Sequence, residues 1–228
     1  MTKNTMQFLY GDRELLLKVA DIFSAPVDVI VNPASSDLMH AKGLAAQINE
    51  RGGEVVRREC AQFIKEHGSL ESGMVALTSA GDLPYQAILH AVVPQMGEGD
   101  EQTKITQAVS SSLKLCSMHG WASIAFPDMN TGNSDLPVEV LAKGFFHAIT
   151  SFWDARLDEP PNKIVICLGK ATFRPFFDAF RGASMMPGEG ENNQSFIAEE
   201  VSETQTGIVN LDENEISQLD DEVNDWFK

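Results

Sequence analysis

Between residues 6 and 182, short apolar runs alternate with stretches whose apolar positions recur at helical spacing. The runs fall at 15–22, 27–31, 74–78, 87–93, 123–126 and 164–168. Several of them, such as VDVIV, AILHAVV and KIVICL, are nearly unbroken and rich in β-branched residues. Runs of this kind suit strands covered on both faces, where neither side has to be polar. The periodic stretches at 43–51, 54–67, 103–119, 138–153 and 172–180 predict helices. Strands alternating with helices of this length predict an α/β fold in three layers, with a mixed, mostly parallel sheet between two helical layers. No internal repeat is present.

The pattern changes after Gly182. Residues 183–210 are poor in large apolar side chains and rich in Gly, Glu, Asn, Gln, Ser and Thr, a composition that predicts disorder. Farther on, Ile216, Leu219, Val223, Trp226 and Phe227 fall at near-helical spacing between acidic residues, which predicts a conditional amphipathic helix over 213–227. The expected organisation is therefore one domain over 1–182 and an acidic tail over 183–228. Charge sharpens this division. The 228 residues carry 17 basic and 33 acidic groups, for a net charge of −16. From Ala183 onward there are 12 acidic residues and one basic residue, a net of −11, which leaves −5 for residues 1–182. Neither part offers the basic surface that nucleic-acid binding needs, so no nucleic-acid partner is expected.

Other classes fall away on similar grounds. No apolar run approaches the roughly 18 residues of a membrane span, and MTKNTMQFLYGDRE lacks a signal-peptide pattern. Cys60, Cys116 and Cys167 are odd in number and widely spaced, which argues against a disulfide framework or a Cys-rich zinc site and suggests an intracellular, reducing compartment. His67, His119 and His147 have no metal-ligand spacing. His90, inside AILHAVV, reads as a satisfied core histidine, and the aromatic residues of 145–153 read as core; neither implies a cofactor.

Three loops carry the candidate chemistry, because ligands of such folds bind at the carboxyl ends of parallel strands. Asp21 closes the run LLLKVADI and offers a carboxylate to an exocyclic amine, or caps a turn. The strand 27–31 runs into Asn32-Pro33-Ala34-Ser35-Ser36; His40-Ala41-Lys42-Gly43 then opens a helix near Leu44. A helix start presents unpaired N–H groups and partial positive charge to a phosphate, although neither G-x-x-x-x-G-K-[ST] nor G-x-G-x-x-G is present. In SIAFPDMNTGNSDLP, a third strand leads through Asn130-Thr131-Gly132-Asn133-Ser134 to a second helix start with Pro137 in its first turn. Two such ends facing one cleft suit a diphosphate; ordinary strand-to-helix turn chemistry draws on the same residue types.

Taken in order, the segments ADIFSAPVDVIVNPASSDLMHAKGLAAQI, GMVALTSAGDLPYQAILHAVVP, SIAFPDMNTG followed by LP, and KIVICL resemble a macrodomain, the ADP-ribose-binding module, over residues 15–180. Their tone is most similar to the macrodomains of vertebrate ADP-ribosyltransferases or of viruses. The resemblance implies that Asp21 holds the adenine amine while the Ile22 N–H reads the ring. It places Asn32 and Ser35 near the distal ribose and Leu168 on the adenine face. Ala41, Lys42, Gly43 and Leu44 on one side, and Thr131, Gly132, Asn133 and Ser134 on the other, would wrap the two phosphates.

Departures from the family pattern concern catalysis more than fold. Members that hydrolyse ADP-ribosyl bonds commonly carry a second Asn where Ser35 stands, and one branch uses an Asp where Ala45 stands. Ser134 replaces a ribose-packing aromatic, and Asp135 beside it would repel a diphosphate unless turned outward. Leu168 offers less area than the usual aromatic. His40, beside a turn, reads as a surface or capping residue. The expected function is recognition of free or protein-linked ADP-ribose, without a cofactor. Two alternatives stand beside it: an ADP-ribosylhydrolase acting on acidic side chains, and a ligand-free scaffold that engages a protein partner through the acidic tail.

Overall fold

A computed structural model describes residues 5–39, 42–130, 135–155, 159–184 and 197–199. Eight strands are present among them: β1 (Thr5–Tyr10), β2 (Arg13–Val19), β3 (Val29–Ala34), β4 (Val75–Thr78), β5 (Ala87–Val92), β6 (Ser123–Pro127), β7 (Lys163–Leu168) and β8 (Ile197–Glu199). Five helices join them: α1 (Gly43–Gly52), α2 (Glu54–His67), α3 (Glu101–Met118), α4 (Val138–Ala155) and α5 (Lys170–Ser184). The strands form one sheet in the order β4-β5-β3-β6-β7-β2-β1-β8. Its middle, from β5 to β2, is parallel, and antiparallel pairs flank it. The expected three-layer α/β arrangement is therefore present.

The unbroken apolar runs are explained by burial on both faces. Val31, Phe126 and Ile166 pack with α3, α4 and α5, whereas Ile30, Ala125 and Val165 on the same strands pack on the α1 and α2 side. Alternate residues of a strand point to opposite faces. Each of the larger side chains fully withdrawn from water contributes about 1.5–3 kcal/mol. The AGDLP turn locks this second layer in place. A Cβ on Gly81 would lie 1.9 Å from the Gly52 carbonyl oxygen, so only glycine lets the turn approach the end of α1.

Two strands lie outside the six expected runs. β1 forms a hairpin with β2 around Gly11, whose φ is 64°. Its alternating pattern TMQFLY buries one side more than the other, so no continuous apolar run marks it. β8 pairs with the outer edge of β1 inside the stretch whose composition predicts disorder; three backbone pairs in an edge strand need little apolar side chain. The expected helix over 213–227 lies outside the described residues.

β3 also runs farther than its expected end at residue 31, through Asn32 and Pro33 to Ala34. Its register with β5 continues to Ala34, but β6 pairs with it only at Val29 and Ile30. Past that point one flank of β3 carries no ladder, and a proline without an N–H is tolerated there. The same parting of β3 from β6 leaves a crevice between their carboxyl ends. The chain leaves β3 through α1 and α2 toward one edge of the sheet, and leaves β6 through α4 toward the other. A crevice at such a reversal is where open α/β sheets bind ligands. At the opposite rim, Asp28 Oδ2 accepts from Ala122 N, Ser123 N and Ser123 Oγ, each at 2.9 Å, and ties the starts of β3 and β6 together.

Candidate functional site

Because β2, β7, β6 and β3 are mutually parallel, the segments after Val19, Leu168, Pro127 and Ala34 all emerge at one rim. The described residues among those singled out in three separate segments thus share one edge. Asp21 does not end a strand; it caps a single 3-10 turn, Ile22–Ser24, its Oδ1 accepting the Phe23 N–H at 2.9 Å. The carboxylate has a second acceptor in Oδ2.

Residues that the sequence did not single out surround this turn. Tyr85 donates its hydroxyl to the Ile22 carbonyl at 3.2 Å. Burial pushes the Tyr85 phenol up to about 12, with Cys167 and Asp21 adding to the effect, so the group stays a donor. Burial pushes the Cys167 thiol up to about 12 as well. The Arg51 guanidinium lies 4.2 Å over the Phe23 ring. These groups come from three distant parts of the chain, and no local pattern in the sequence marks them.

Asn32 is fully buried, and its Nδ2 lies 3.1 Å from His90 Nδ1. Its Oδ1 is buried with no hydrogen-bond partner among the described residues. Leaving a buried carbonyl unpaired costs about 1–3 kcal/mol. Ser35, by contrast, is exposed and turned back on its own loop. Its hydroxyl donates to Asp37 Oδ1 at 2.6 Å, and the same oxygen accepts the Met39 N–H at 3.0 Å. α1 begins at Gly43, where φ is 58°, a conformation that glycine adopts without strain. Lys42 precedes it, exposed and without a side-chain cap, and the first turn holds no acidic residue. An uncapped, acid-free helix start is suited to an anion. Leu44 and Ala45 lie half-buried in that first turn. Ala41 and His40 lie outside the described residues, as do Thr131, Gly132, Asn133 and Ser134.

Two flanks of the third loop are described. Asp135 is exposed, so its carboxylate faces water. Leu168, at the end of β7, is 3% exposed and packs in the cluster of α3, α4 and α5, while Cys167 beside it belongs to the α1 and α2 side. Asp128 is not among the candidates that the sequence offers. It is buried directly after β6 and accepts the Asn130 N–H at 3.0 Å and a hydrogen bond from Thr172 at the start of α5. Burial raises its carboxyl from 3.8 to about 6, and those two hydrogen bonds only partly oppose the rise.

A raised carboxyl pKa stabilises the fold fully below the unfolded value, and that contribution is lost as pH rises through the folded value. At about 1.4 kcal/mol per pH unit, Asp128 should remove about 3 kcal/mol of stability between about pH 4 and pH 7. Asp128→Asn, which keeps an acceptor for Asn130, should flatten this part of the profile. Urea unfolding of both proteins at the two pH values measures it. An unchanged pH difference in the variant would assign the slope to other groups.

Among the described residues no cluster of three or more His, Cys, Asp or Glu is arranged to hold a metal ion. No helix among them is long and apolar enough to cross a membrane.

Residues 31–144 match the family model described as Macro domain. The chain is 33% identical to an uncharacterized protein of Pyrobaculum aerophilum over 176 residues, which cover 77% of this chain and 96% of that relative. It is 31% identical to an O-acetyl-ADP-ribose deacetylase of Klebsiella pneumoniae over 156 residues, or 68% of this chain and 89% of the enzyme. Among solved structures, the Oceanobacillus iheyensis macrodomain with ADP is similar in fold, with a TM-score of 0.73 at 22% identity, covering 80% of this chain and 97% of that one.

Proposed function

The chain belongs to the Macro domain family, and on that premise we propose that it is a binding module for ADP-ribose, free or attached to protein. The observations that carry this reading are the uncapped start of α1 and the buried Asn32 oxygen, which has no partner among the described residues, together with Asp21 after β2. In this reading Asp21 Oδ2 accepts from the adenine amine, and the Ile22 N–H reads the ring. Phosphates meet the N–H groups of residues 41–44 and 131–134, and Leu168 lies behind the base. Asn32 supplies the distal ribose with an acceptor, with Ser35 nearby. The ADP bound to the Oceanobacillus iheyensis macrodomain has the nucleoside diphosphate chemistry that such a rim suits.

The deacetylase relative favours a second reading, hydrolysis of an ADP-ribose ester. Two features weigh for binding alone: the Ser35 hydroxyl is engaged by Asp37, and residue 45 is alanine, which has no carboxylate to activate water. One experiment addresses both. Titration with ADP-ribose in a calorimeter should give saturable heat, and incubation with an auto-modified transferase should leave its label in place. No heat at high micromolar ligand would overturn binding, while loss of label at stoichiometric protein would make the chain a hydrolase. The free, buried cysteines fit an intracellular, reducing compartment. The strongly acidic tail adds a surface for a basic protein partner to this reading.

A further inference from the structure

Asn32 and His90 are register partners on the adjacent strands β3 and β5, and both are fully buried. Their hydrogen bonds have a direction that chemistry fixes. A carbonyl only accepts, so the Thr78 hydroxyl donates to the Ser79 carbonyl at 2.9 Å. That hydroxyl has no second proton, so its 2.9 Å contact with His90 Nε2 is received from the ring N–H. A neutral ring protonated on Nε2 carries a lone pair on Nδ1, and only the NH2 end of an amide can donate to it. The 3.1 Å contact from Asn32 Nδ2 is that bond. The relay from Ser79 through Thr78 and His90 therefore turns the Asn32 amide oxygen the other way, where it is buried with no hydrogen-bond partner among the described residues. Cys60 Sγ lies 3.6 Å from Nε2, and burial, with Glu59 adding, pushes this thiol up to about 12, so it forms no thiolate–imidazolium pair that would upset the tautomer.

Resting on the ADP-ribose reading above, we propose that His90 is a positioning residue for ligand recognition: through Thr78 it holds the Asn32 amide with its oxygen toward the distal sugar, so that this point accepts a hydrogen bond from a hydroxyl and offers none. The selectivity follows from the polarity of one buried atom. A ligand with a hydroxyl there satisfies the oxygen, and a ligand that ends before the distal sugar gains nothing from it. An amide free to flip would present a donor half the time and lose the distinction.

ADP-ribose and ADP are the probes, titrated into the full chain as wild type, His90→Phe and His90→Gln, with melting curves recorded for each. His90→Phe should bind ADP-ribose about tenfold more weakly, the scale of one hydrogen bond. Its affinity for ADP should stay within about twofold, below any resolvable contact energy. His90→Gln, whose amide oxygen accepts from Asn32 Nδ2, should recover most of the loss. Equal losses for both ligands, or no loss for either, would overturn the proposal. If His90→Phe does not fold, nitrogen chemical shifts of the His90 ring in the wild type decide: an Nε2–H tautomer supports the relay, and an Nδ1–H tautomer overturns it. A wild type that binds neither probe overturns the functional reading itself, a result distinct from all of these.

Discussion

Asp21→Ala should weaken ADP-ribose binding by about 10- to 100-fold, the range expected for a lost hydrogen bond to a charged group. The alanine variant alone is ambiguous, because Asp21 also caps the turn Ile22–Ser24 through the Phe23 N–H. Asp21→Asn separates the two roles. Asparagine retains an oxygen for the Phe23 N–H and is as good a cap as aspartate. Its other end is an NH2, which faces the adenine amine donor to donor. Asp21→Asn should therefore melt like the wild type yet bind about as weakly as the alanine variant. Calorimetry with ADP-ribose, beside thermal unfolding, gives both numbers. Wild-type affinity in Asp21→Asn would reduce this carboxylate to a turn cap and leave the base to be read by the Ile22 backbone.

Trp153→Ala should cost about 3–5 kcal/mol of stability, the usual range for deleting a fully buried large aromatic. Trp153 has no exposed surface, and its Nε1 donates to the Pro161 carbonyl at 3.1 Å. Its ring stacks on Tyr10 at 5.9 Å, and the Arg13 guanidinium lies 5.9 Å over it. Arg13 is itself buried and donates to the carbonyls of Trp153 and Glu159. The Tyr10 hydroxyl meets Asp154. One side chain thus joins the end of α4 to the β1–β2 hairpin and to the segment entering β7, and its loss strips partners from Arg13 and Tyr10 together. For a domain of this size the melting temperature should fall by about 10 °C. Trp153→Phe, which loses the N–H but keeps most of the packing, should cost about 1–2 kcal/mol. Arg13 and Lys163 begin their strands at the rim opposite the loops. The folded fraction of Trp153→Ala should accordingly bind ADP-ribose as the wild type does, the reverse of the Asp21→Asn pattern. A cost under about 1 kcal/mol would mean that the site refills by collapse.

The two variants also mark how far a linear reading carries. Fold class was legible because burial on both faces leaves a mark along a central strand: past Asp28 and Lys163, VIV and IVICL have no polar member to alternate with. The alternating β1 and the three-residue edge strand β8 leave no such mark, and for that reason they needed the structure. The segments that hold Asp21, Asn32 and Gly43 were legible as well, since each lies at or after the end of an apolar run that the parallel sheet brings to a common rim. What Asp21 does at that rim was not. Capping the Phe23 N–H and facing a ligand call for the same residue at the same place, and only a substitution that keeps the cap and removes the second acceptor separates them. Ser35 illustrates the converse. The sequence shows a hydroxyl beside a candidate sugar, whereas the loop's own turn puts Asp37 within reach of it first.

By itself the sequence determined the layers, the mostly parallel middle of the sheet, the loops that meet at its end and the concentration of negative charge in the last residues. Each is a property of composition or of spacing along the chain, and short-range periodicity records it. Only the tertiary structure decided which partners the described atoms of those loops meet. Tyr85 against Ile22, Arg51 over Phe23, Asp128 under Thr172 and the relay from Ser79 to Asn32 each join residues distant in sequence or turn on the direction of a single hydrogen bond. Such pairings come from register between strands and from the close approach of helices to the sheet, and pairing energies of this kind have no period for a sequence to display.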